Sequence, residues 1–158
     1  MSSPEALRLV ALDEEDLAVL SAHAQDAILK IGDLAWRPRE RRFALAMNRF
    51  AWETAADGER LPSYTRRRAI LHFDRITAVK TAKLDRSLPE TPLELLAIAF
   101  EPGDSPAGSI TLYFAGGGVI RLEAECIEAR LTDLGAEWAT RVKPVHDLAD
   151  GDDAIRRA

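Results

Sequence analysis

From Ile28 onward, apolar segments follow one another with connections too short to hold a helix. Parallel neighbours need a crossover of a dozen or more residues. The spacing therefore asks adjacent strands to run antiparallel. "VIRLEAEC" is the clearest of them: Ile120, Leu122, Ala124 and Cys126 alternate with Arg121, Glu123 and Glu125. A period of two puts the first set on one face and the second on the other. "SITLYFA" precedes it across "GGG", and "LELLAIAFE" (Leu93 to Glu101) precedes that across "PGDSPAG".

Upstream, "LRLVAL" (Leu7 to Leu12) reads as a strand. Asp13 then reads as the N-cap of a helix ending near Ala27, with Glu14, Glu15 and Asp16 favouring its positive end. Leu17, Leu20 and Ala24 give that helix an apolar stripe. Ile28 to Trp36 and Arg42 to Glu53 read as a hairpin around "RPRER". Phe43, Leu45 and Met47 share one parity, whereas Phe50 and Trp52 have the other, which predicts a bulge near Asn48–Arg49. "TAADGERLPSY" reads as a loop, and "RRRAILHFDRITAVKTA" as a strand that bends or ends around Asp74. Ile127, Leu131, Leu134 and Trp138 follow helical spacing, interrupted by Gly135.

The expected fold is α+β: a mostly antiparallel bent sheet or barrel of roughly seven strands. It has an N-terminal helix and a C-terminal capping helix. Residues 1–143 form one domain, and the acidic segment 144–158 is expected to be loosely held.

The segment "AILHFDRITAV … LLAIAF … ITLYFAGGGVIRLEAECIEARLTDLGAEW" resembles a proteobacterial family known only as a domain of unknown function, number 2948. That resemblance implies no activity. The hairpin strands leading through "RLEAE" to a helix with a tryptophan are similar to pleckstrin-homology-like domains. There a C-terminal helix caps a bent antiparallel barrel, and Trp138 would seal the open end. That resemblance implies a binding scaffold more than an enzyme.

The chemistry-bearing motifs are sparse. Gly116 to Gly118 lack the following Lys and helix of a phosphate-binding loop, so they read as a hairpin turn. Cys126, in phase with Ile120, is expected to face the core as an inert thiol. His23, His72 and His146 are scattered, with no spacing that holds zinc. His72 alternates away from Leu71 and Phe73 and is expected to be partly exposed. "DEED" belongs to a helix start, and "DGDD" lies in the tail. No catalytic set, metal or cofactor is implied.

Charge is the remaining signal. The net charge is −5, yet residues 30–86 carry +7 and the remainder −12. The basic clusters are Arg37, Arg39, Arg41 and Arg42, then Arg66, Arg67 and Arg68. Such a segment attracts an acidic protein surface or another anionic group; its bland alternative is a solvated face paired with acids from the flanks. The single cysteine, the absence of a signal-peptide pattern and the lack of a long apolar run suggest a cytoplasmic setting. The leading expectation is a non-enzymatic binding or scaffold module. A small enzyme or accessory subunit, with a site assembled from His72, His146 and an arginine, is the second reading. RNA binding is the third: Trp36, Phe43, Phe50, Trp52 and Tyr64 interleave the arginines. The overall pI of ≈ 5.3 and the lack of an RNP-like motif weigh against it.

Overall fold

In the computed structural model, which describes residues 6–54 and 60–134, the chain begins as its sequence suggests. β1 (Arg8–Ala11) leads into α1 (Glu14–Ala24). The Asp13 side chain accepts from the Asp16 backbone N–H at 2.8 Å and caps the helix. Leu17, Leu20 and Ala24 are buried. The helix stops short of Ala27. Asp26 adopts a left-handed φ of 66, and its N–H donates to the Leu95 carbonyl at 2.7 Å.

The expected single strand from Ile28 to Trp36 is two strands, β2 (Ile28–Lys30) and β3 (Leu34–Arg37), split by a 3-10 turn at Ile31–Asp33. The turn has a local cause. Asp33 Oδ2 accepts from the Lys30 N–H at 3.0 Å, while Ile31 and Gly32 donate to the Thr91 and Pro89 carbonyls. The chain thus changes partners without leaving the sheet.

β4 (Arg42–Thr54) and β5 (Arg60–Phe73) form a long hairpin. Residues 60–64, expected as loop, belong to β5. Trp52 pairs with Pro62 and Thr54 with Arg60. The register shift falls between Phe50 and Trp52, close to the bulge that the parity change predicts. A proline is tolerated beside such an irregularity because the ladder is already broken there.

β6 (Ile76–Ala82), β7 (Pro92–Pro102), β8 (Gly108–Phe114), β9 (Val119–Ala124) and β10 (Ala129–Asp133) complete ten strands among the described residues, rather than about seven. Each pairing is antiparallel. The sheet order is β1-β10-β5-β4-β2-β7-β8-β9-β6, with β3 also on β4.

The helix expected from Ile127 does not form over 129–133. Ala129, Leu131 and Asp133 are buried as β10, whose two neighbours are β1 and β5. Ile127 and Leu131, four residues apart, suit a helical stripe or one face of a strand, whereas Leu134 fits only the helix; filling two strand edges outweighed it. Trp138 and the segment 144–158 lie outside the described residues.

The sheet rolls so that Phe43, Leu45, Met47, Leu71 and Phe73 meet Ile110, Leu112, Ile120 and Leu122 in one core with Leu17 and Leu20 of α1. α1 packs against β1, β4 and β7. Its Ser21 hydroxyl accepts from the Ile98 N–H at 2.9 Å. The two limbs of the roll come together where the Ile76 N–H donates to the Arg41 carbonyl at 2.9 Å. Beyond that point β3 and β6 do not pair with each other. Gly108 is required by packing: a Cβ there would lie 2.4 Å from Phe100 Cζ and 2.5 Å from the Glu101 carbonyl oxygen.

Among the described residues, one charged pair lies inside. Asp133 takes both Nε and Nη2 of Arg49, at 2.7 and 2.6 Å. It also accepts from the Leu7 N–H at 2.9 Å. Arg49 and Asp133 are each 5% exposed. Asp133→Ala is expected to cost about 3–5 kcal/mol in urea unfolding, because Arg49 stays buried without its counter-charge. Arg49→Met combined with Asp133→Leu should recover most of that loss. Equal destabilisation of the two variants would contradict this account.

Candidate functional site

The structure separates the two arginine clusters. Arg42 stands opposite Arg37 at one end of β4, whereas Arg68 stands opposite Asn48. These rungs are six steps apart along β4, about 20 Å at roughly 3.3 Å per residue. The second cluster is also split by the pleat. Arg67 shares its parity with buried Ala69 and Leu71, while Arg66 and Arg68 lie on the other face. Arg66 covers the Phe50 ring at 5.0 Å. Arg68 lies 3.4 Å from Asn48 Oδ1 and 3.7 Å from Asp33.

The first cluster gathers around the turn at Pro38–Glu40, the β5–β6 turn and the β9–β10 connection. Arg41, at a left-handed φ of 53, donates to Glu125 at 2.7 Å. Arg42 holds Asp74 through Nε at 2.7 Å and Nη2 at 3.4 Å. Arg37 is 3.7 Å from Glu40. Arg39 and Arg75 are exposed and have no acidic partner among the described residues. The solvated, acid-paired reading thus describes Arg37, Arg41 and Arg42, and not Arg39.

His72 lies one rung inward, beside Ala44 on β4 and Arg130 on β10. Its side chain is 18% exposed, as its alternation suggests. Nδ1 sits 3.4 Å from Asp74 Oδ2 without the alignment of a hydrogen bond, and it is buried with no other partner among the described residues. Burial, then the charge of Arg42, holds the imidazole below its ordinary pKa; Asp74 pulls the other way and Arg130 adds to the depression. The result is a neutral histidine beside a carboxylate that an arginine already holds. His146, the other half of the assembled-site reading, lies outside the described residues.

A second polar group lies on the outer face of β8 and β9, in an open groove of about 500 Å³. The Ser109 hydroxyl donates to Glu123 at 2.9 Å and accepts from Arg121 at 3.0 Å. Arg121 Nε donates to Glu123 at 2.8 Å. The Ser109 hydrogen bond, more than Arg121, keeps Glu123 below the usual carboxylate range. A carboxylate of lowered pKa is a poor base, and the trio contains no imidazole to activate the serine. Strand register alone brings these three together, so "GSITL" and "IRLEA" read separately show nothing of it.

The glycine run is a turn. Gly116 and Gly117 take φ of 87 and 93, and the Phe114 N–H donates to the Gly118 carbonyl at 2.9 Å. β9 follows it, not a helix. Cys126 departs from its expected place. β9 ends at Ala124, the Glu125 N–H turns to the Arg75 carbonyl, and the thiol is partly exposed in the bend. Among the described residues, no group of three His, Cys, Asp or Glu is arranged to hold a metal, and no helix is long and apolar enough to cross a membrane.

A family model described as a protein of unknown function, DUF2948, matches residues 7–146. The chain belongs to that family. The match spans β1 through β10, so the rolled sheet and the arginine end both fall within the DUF2948 region. No curated protein and no solved structure matches the chain.

The histidine gives a pH test. Its folded pKa lies below the ordinary 6.5, so the unfolded chain takes up the proton first as pH falls. The stability contributed by neutral His72 is present above that value and is lost on acidification toward the folded pKa. His72→Gln is therefore expected to flatten the decline of the urea midpoint between pH 8 and pH 5. An unchanged decline would show that other groups cause it.

Proposed function

We propose that this DUF2948 chain is a non-enzymatic binding module, which engages an acidic protein surface through its arginine-rich end. The observation that carries the reading is the arrangement there. Arg41 and Arg42 are pinned by Glu125 and Asp74, and exposed Arg39 and Arg75 flank them. Arg37, Arg39, Arg41, Arg42 and Arg75 outnumber Glu40, Asp74 and Glu125. A pre-ordered, net basic surface favours encounter with acidic groups and loses less side-chain freedom on binding. In this reading the rolled sheet serves as a pleckstrin-homology-like scaffold in the cytoplasm, and Arg66 and Arg68 form a separate basic edge.

The acyl- or proton-transfer alternative has weaker support. The Arg42–Asp74–His72 group holds an imidazole and a carboxylate with no nucleophile among them. RNA binding shares the basic surface and differs in its ligand.

An immobilised glutamate-rich peptide and a single-stranded RNA of equal charge separate these readings. The peptide is expected to bind at low salt. Arg39→Glu with Arg75→Glu should abolish that binding, while Arg66→Glu with Arg68→Glu should change it less than twofold. Peptide binding that survives the first pair of changes would refute the proposal. Preference for the RNA with a steep salt slope would favour the nucleic-acid reading instead.

A further inference from the structure

The seam between the two limbs of the roll is a second, chemically different feature. It encloses a cavity of about 220 Å³. Its floor is Phe43 and Ile120, both fully inside the core. Its walls are Trp36 on β3, Val79 on β6 and Leu84 after β6, each only partly buried against that core. Thr81 and Arg86 stand at its exposed rim. Three large apolar side chains thus converge on a gap that the strands themselves leave unclosed.

We propose that this seam is a binding site for a small aromatic carboxylate. Size decides between occupants. An apolar cavity of about 150 Å³ holds benzene. The larger volume here suits a ring with a short acid arm, about ten non-hydrogen atoms in all. A peptide strand is too bulky, and the hydrogen bond from Ile76 to Arg41 prevents the limbs from parting at the adjoining end. Polarity decides the rest. The floor and walls offer no charge, so a ring fills them by apolar burial. The rim offers a guanidinium and a hydroxyl, the groups that receive a carboxylate. Gly118 helps shape the wall, because a Cβ there would lie 2.6 Å from Leu84 Cδ2; the bare glycine lets Leu84 settle on the β8–β9 turn.

Phenylacetate and its neutral isostere phenylacetamide provide the probes, followed by ¹H–¹⁵N correlation spectra of the full chain. Phenylacetate is expected to give saturable shifts at the Trp36 indole N–H and at the Val79 and Ile120 amides. Phenylacetamide should bind about tenfold more weakly, the worth of one charge-assisted contact. Arg86→Gln should bring the two probes to equal affinity. Thr81→Trp, an exposed position, should block both by covering the mouth, and Val79→Phe should block both by filling it. The proposal is overturned if the seam amides do not shift, if the two probes bind the native chain equally, or if binding survives both blocking variants.

Discussion

Arg49 and Asp133 meet with almost no solvent around them, 84 residues apart in the chain. Removing both charges from water costs several kcal/mol each, and only close geometry with further hydrogen bonds offsets it. That geometry is present: two parallel N–H···O contacts, a third donor from Leu7, and a bond from Arg49 Nη1 to the Phe50 carbonyl at 3.1 Å. The pair therefore contributes specificity as well as cohesion. A one-residue slip of β10 on β5 would turn Asp133 to the outer face and strand Arg49 inside. The register of three strands, β1, β10 and β5, depends on that alternative being so unfavourable.

The same rule explains which arginines remain available. The basic middle of the chain looks uniform in sequence, yet its members meet different fates. Arg49 is neutralised in the interior, Arg66 lies on an aromatic ring, and Arg41 and Arg42 are held by acids from distant turns. What faces solvent without such a partner among the described residues is a small remainder, Arg39 and Arg75, concentrated at one end.

Local chemistry made several elements legible. Asp13 and its acidic followers marked a helix, Phe43-x-Leu45-x-Met47 marked an inner face, and the glycine run marked a turn. The change of parity at Phe50 marked a real irregularity in the ladder. What could not be read was anything decided by distant partners. Leu131 fits a helical stripe and a strand equally, and the open edges of β1 and β5 chose the strand. Asp33 looked like an interruption only once its bond to Lys30 was visible. The Ser109, Arg121 and Glu123 group and the Asp74 partnership with Arg42 rest on side chains brought together by register and turns, which no window of sequence contains. For the same reason the two arginine runs looked alike in sequence, although one is divided between opposite faces.

The placement of β10 between β1 and β5 has a consequence for synthesis on the ribosome. Among the described residues the first strand of the sheet pairs with β10 alone, and β5 keeps one bare edge until that same segment emerges. Through most of translation the nascent sheet therefore presents open hydrogen-bonding groups and an uncompensated Arg49. Sheets dominated by distant pairings gain little from partial assembly, because loop closure must come before the contacts that reward it. Here the final described strand acts as a clasp: its arrival neutralises a charge, covers an edge and secures the amino-terminal strand in one step.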